Sequence, residues 1–69
     1  MLNINYKKNN DNGIDYIGTT KLNEKDLGKI LQNICNDQEI SIFWQLKKDG
    51  EFFISIDLTP TKICTGGLI

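Results

Sequence analysis

Sixty-nine residues with a formal net charge of −1 allow one domain, 1–69, with a modest core. Every basic residue is a lysine. Arginine, the side chain best suited to two-pronged recognition of guanine and phosphate, is missing, and so is histidine, the commonest general base and metal ligand.

In chain order, Leu2, Ile4 and Tyr6 alternate with Asn3, Asn5 and Lys7, the pattern of a first strand. Asn9-Asn10-Asp11-Asn12-Gly13 is a dense turn signal. Ile14, Tyr16 and Ile17-Gly18-Thr19-Thr20 then read as a second strand, hairpin-paired with the first, with Gly18 at a bulge or strand end. Asn23 follows as a helix N-cap, with Glu24 and Asp26 in the first turn, where the helix dipole favours negative charge. Leu22 and Leu27 are placed to form a hydrophobic staple. Leu27, Ile30, Leu31, Ile34 and Cys35 fall on one helical face, and the helix should end near Asn36-Asp37. Gly28 lies beside Cys35 on the wheel, a pair of small residues that would let the sheet backbone come close. Lys21, Lys25 and Lys29 step at helical spacing along a solvated side.

The segment Glu39–Leu58 reads as a second hairpin. Asp49-Gly50 invites a two-residue turn, but that register would set Trp44 against Ser55 and Ile42 against Asp57. A three-residue loop, Lys48-Asp49-Gly50, pairs Leu46 with Phe52, Trp44 with Ile54, Ile42 with Ile56 and Ile40 with Leu58. A slip of one residue moves every side chain to the other face, so the core selects the second register and requires φ > 0 at Gly50. Thr59-Pro60-Thr61 breaks the strand, Lys62–Thr65 is a short fifth strand, and Gly66-Gly67 loosens the tail.

The expected fold is α+β. A small antiparallel sheet of two hairpins, β-β-α-β-β with a short fifth strand, carries one amphipathic helix on one face. Ile40, Ile42, Trp44, Leu46, Phe52, Ile54, Ile56 and Leu58 should meet Leu27, Ile30, Leu31 and Ile34.

One helix covers one face. On the other, Phe43 and Phe53 are diagonal neighbours among polar groups, and Phe43, Phe53, Gln45, Lys47, Ser55 and Asp57 form a candidate partner-binding surface. The first hairpin, the C-terminal tail or a second copy in a homodimer would otherwise cover the rings. Aromatic residues on an open sheet can stack bases, but Glu51 and Asp57 sit among them and the net charge is negative, so nucleic acid is not an expected partner.

Catalysis finds no support in the acids, which are scattered singly. Asp11-Asn12-Gly13 lacks the remaining ligands of a calcium loop, and Gly66-Gly67 lacks the lysine and helix of a phosphate loop. Cys35 and Cys64 have no metal-ligand spacing and are expected as free thiols in a cytoplasmic protein. No cofactor, metal site or membrane segment is expected.

The profile fits a small non-enzymatic protein-binding module, an inhibitor or regulator of a larger protein. Small proteins of this composition from low-GC genomes are often phage or mobile-element products, such as anti-defence factors, antitoxins or immunity proteins; that comparison is analogy alone. The alternative is an oligomeric binder of a nucleotide-like ligand, with Phe43, Phe53 or Tyr16 stacking on the base.

Overall fold

The computed structural model describes residues 2–58 and 62–69. Among these residues six elements follow in order: β1 (Leu2–Asn10), β2 (Gly13–Thr20), α1 (Glu24–Gln38), β3 (Ser41–Leu46), β4 (Glu51–Asp57) and β5 (Cys64–Leu68). The strands form one sheet in the order β1-β2-β4-β3-β5. The first four strands pair antiparallel, and β5 runs parallel to β3. The fold is α+β with a mixed sheet, a correction to the wholly antiparallel arrangement expected.

The β3–β4 hairpin adopts the register that the core demands. Lys47 N–H donates to the Glu51 carbonyl at 2.8 Å, and Gly50 N–H donates to the Lys47 carbonyl at 3.0 Å. Gly50 has φ 91°, the left-handed residue of a three-residue bulged loop. Ile42 lies opposite Ile56, Trp44 opposite Ile54 and Leu46 opposite Phe52. The ladder stops at Ser41 and Asp57, so the expected Ile40–Leu58 pair is not made. Leu58 N–H turns instead to the Asn12 carbonyl at 2.8 Å, and its side chain is 63% exposed beyond the reach of the core.

The helix begins where its cap dictates: Asp26 N–H donates to Asn23 Oδ1 at 2.8 Å. Leu27 is fully buried and Leu22 packs against the core, as the staple requires. The helix runs one residue past Asp37 and closes on Glu39 at φ 55°, a left-handed position held by a non-glycine residue. Ile40 N–H then donates back to the Cys35 carbonyl at 3.3 Å, turning the chain into β3.

Leu27, Leu31 and Cys35 form the buried stripe, with Ile42, Trp44, Leu46, Phe52 and Ile54 beneath it. Ile30 and Ile34, expected in the core, are each 39% exposed. The helix packs on β3 and β5 and stands off the other strands, so its apolar stripe is wider than the surface it meets. Two glycines account for that offset. A Cβ on Gly66 would lie 2.5 Å from both Cδ1 and Cδ2 of Trp44, and one on Gly28 would lie 3.1 Å from Cζ2. The indole therefore lies across β5 and under α1, in space that the missing side chains leave open. Gly28 thus admits the tryptophan ring rather than the sheet backbone. Gly66 and Gly67, expected to loosen the tail, lie inside β5, which starts two residues later than expected and continues through them. Thr59-Pro60-Thr61 lie outside the described residues.

The first hairpin turns at Asp11-Asn12, with Asn10 opposite Gly13 and Asn12 N–H donating to Asn10 Oδ1 at 2.9 Å. Its register shifts between Ile4 and Tyr6: Ile4 lies opposite Gly18, while Tyr6 lies opposite Ile17. This bulge sits across from Gly18, in β1 rather than in β2.

Two substitutions test these placements. Gly66→Ala should cost about 2 kcal/mol or more in chemical denaturation, because the new methyl group meets the indole and the β3 backbone rather than a flexible side-chain end. Glu39→Gly should raise stability by about 0.5–1 kcal/mol in the same assay by relieving the left-handed backbone. The exposed Lys62–Glu39 pair, at 3.7 Å, contributes little against that gain.

Candidate protein-interaction face

Side chains opposite one another across a sheet share a face. Trp44 points under the helix, so Phe43 points away from it, 46% exposed. The structure places all six expected partner-binding residues on this second face. Phe43 lies opposite Ser55, Gln45 opposite Phe53, and Asp57 opposite Ser41. Lys47 and Glu51 close the hairpin at one end through an exposed ion pair of 2.9 Å. That pair raises the Lys47 pKa, first through the hydrogen bond and then through the charge of Glu51.

The β1 bulge enlarges the surface beyond what the sequence pattern indicates. Ile17 lies opposite Phe53 across β2 and β4, and Tyr6 lies opposite Ile17 across β1 and β2. Tyr6, Ile17 and Phe53 therefore form a transverse apolar row. The next row carries Lys8, Asp15, Ser55, Phe43 and Thr65 in strand order. Ser55 Oγ donates to Asp15 Oδ1 at 2.9 Å, a polar link beside the phenylalanines.

Tyr6 and Ile17 are the residues that pattern reading misses. Alternation of Leu2, Ile4 and Tyr6 puts all three on one face; the bulge sends Tyr6 to the other. The adjacency of Tyr16 and Ile17 was the available signal, since two neighbouring apolar residues in a strand must occupy both faces.

Among the described residues, no element lies over this face. The first hairpin extends the sheet sideways beyond β4, and β5 extends it beyond β3. Neither folds back over Phe43, so the expected internal covers are not realised. The surface is shallow: a depression of about 160 Å³ lies beside Phe53, lined also by Ile17, Gln45, Lys47 and Ile69. A more open one of about 410 Å³ beside Phe43 is bordered by Ser41, Ser55, Asp57 and Ile63.

Tyr16 does not join this surface. It lies opposite Ile54 on the helix side and packs partly buried against the core. Within one chain it therefore cannot share a pocket with Phe43 and Phe53. Lys21, Lys25 and Lys29 are all exposed. Among the described residues, no three His, Cys, Asp or Glu side chains are grouped to hold a metal ion, and no helix is long and apolar enough to cross a membrane.

Compared with known proteins, the chain matches no family model, no curated protein and no solved structure.

The two faces should respond differently to truncation. Phe43→Ala should change the denaturation midpoint little, within about 1 kcal/mol, whereas Trp44→Ala should cost about 3–5 kcal/mol. Equal losses from the two substitutions would mean that Phe43 is covered in solution.

Proposed function

We propose that this chain is a small non-enzymatic protein-binding module that inhibits or regulates a larger protein in the cytoplasm. The observation that carries the reading is the uncovered row Tyr6–Ile17–Phe53 with Phe43 beside it, rimmed by Gln45, Lys47, Ser55 and Asp57. An apolar centre with a polar rim is the anatomy of a protein interface. Aromatic side chains are the usual anchors of such contacts, because they bury much area while freezing few torsions.

The flatness of the face favours a macromolecular partner over a small ligand. Small-molecule sites are concave and surround most of the ligand surface. The depression beside Phe43 is bordered by Asp57, which disfavours a phosphate, and Lys47 beside the other is already paired with Glu51. The nucleotide-ligand alternative therefore needs a second subunit to complete its pocket. The mobile-element setting remains analogy from size and composition.

The test is capture from the native host with three baits: the wild-type chain, a Phe43→Ala/Phe53→Ala variant, and a Lys25→Ala/Lys29→Ala control on the outer helix side. A protein held by wild type and control but lost by the double phenylalanine variant, with circular dichroism unchanged, is the expected result. Capture that ignores the phenylalanines refutes this face as the binding surface. A stable homodimer by light scattering that the double variant dissolves would assign the face to self-association instead.

A further inference from the structure

Cys35 and Cys64 are brought together by the fold from positions 29 residues apart. Cys35 belongs to the buried stripe of α1. Cys64 opens β5 opposite Ile42, which puts it on the helix side of the sheet. Both thiols are free, and Cys64 packs against the core cluster that holds Cys35. Cys35 Sγ donates to the Ile40 carbonyl at 2.7 Å, which sets its sulfur at the entry to β3, two residues before the Ile42 that Cys64 opposes. Cys35 is buried, whereas Cys64 is reached by solvent.

We propose that this pair is a redox site, oxidised by a low-molecular-weight disulfide to an intramolecular bond that pins β5 beneath α1. The chemistry is two exchanges. The Cys64 thiolate attacks one sulfur of the small disulfide, forming a mixed disulfide and expelling one thiolate, which takes up a proton. The Cys35 thiolate then attacks Cys64 Sγ, the protein disulfide closes, and the second small thiol leaves. Two protein thiols are oxidised and one small disulfide is reduced to two thiols.

The placement gives the bond a structural consequence. β5 is an edge strand, held by β3 on one side only. At its far end Leu68 N–H donates to Glu24 Oε2 of α1 at 3.0 Å. A bond at Cys64 would tie the near end to the same helix. β5 also carries Thr65 opposite Phe43, and Ile63 and Ile69 flank it on the depressions of the open face. Oxidation would therefore fix one border of the interaction face.

Burial pushes the Cys64 thiol up, and the charge and hydrogen bond of Cys35 push it further. The thiolate is the attacking species, so the first exchange should be slow at neutral pH and quicken as pH rises beyond the ordinary thiol range.

The full-length chain is incubated with oxidised glutathione at neutral pH and at about pH 8.5, near the ordinary thiol value. It is then read by intact mass, non-reducing peptide mapping and thermal melting. The expected product has lost two hydrogens, retains no glutathione, yields a Cys35–Cys64 linked peptide and forms faster at the higher pH. Its Tm should rise by roughly 10 °C or more and fall back on reduction. A persistent glutathione adduct on Cys64, a disulfide-linked dimer, or no reaction of the folded chain at the higher pH would each overturn the proposal. In a Cys64→Ala variant the buried Cys35 should stay unmodified while the chain remains folded. Uptake of glutathione at the wild-type rate would show that Cys64 is not the entry point.

Discussion

The bulged turn at Lys48-Asp49-Gly50 is the constraint on which the rest of the molecule hangs. It sets Lys47 opposite Glu51, and from that pairing every residue of β3 and β4 is assigned a side. A two-residue turn would have opposed Trp44 to Ser55 and mixed apolar with polar down the whole ladder. The free energy of burying Ile42, Trp44, Leu46, Phe52 and Ile54 together is far larger than any preference among turn types, so the core chooses the loop. Glycine at position 50 makes that choice sterically free, because its φ of 91° is one that side-chain-bearing residues rarely adopt.

The same hairpin explains how much of the fold was legible. Its two arms alternate without interruption, and period-two alternation with one loop length that satisfies both arms leaves a single solution. The helix was legible for a similar reason: Asn23, Glu24, Asp26 and the Leu22–Leu27 staple all act within one turn of chain. What could not be read depended on contacts between distant segments. The β1 bulge lies across from Gly18, and nothing local to Asn5 announces it. β5 pairs parallel with β3, a partner more than twenty residues away, and its Gly66-Gly67 pair resembles a loose end unless one knows that an indole must lie over it. Ile30 and Ile34 fit a helical stripe by spacing alone; their exposure follows from where the helix sits on the sheet.

For the candidate face, sidedness was legible and extent was not. Once Trp44 is inside, Phe43 and Phe53 are outside by parity. The addition of Ile17 and Tyr6 required the order β1-β2-β4, which places the first hairpin beside β4 instead of over it. That order turns a pair of rings into a surface crossing four strands. It also makes the absence of a covering element among the described residues a matter of topology: there, five strands in one layer and a single helix leave one side of the layer open.

β5 links the two sides of the sheet. Toward the helix, Gly66 leaves room for the Trp44 indole, and Glu24 holds the strand by the Leu68 amide. Toward the open face, Thr65 stands beside Phe43. The strand has a neighbour on one flank only and, unlike the other edge strand β1, packs against α1, so its seat depends on how the helix is placed. A displacement of α1 would reach β5 through Glu24 at the Leu68 amide and through the Trp44 indole at Gly66, and from there the edge of the aromatic surface. Core packing and the geometry of the exposed face are thus coupled through one short strand. The coupling is strongest at Trp44, whose ring touches the helix and β5 while its neighbour Phe43 points the other way.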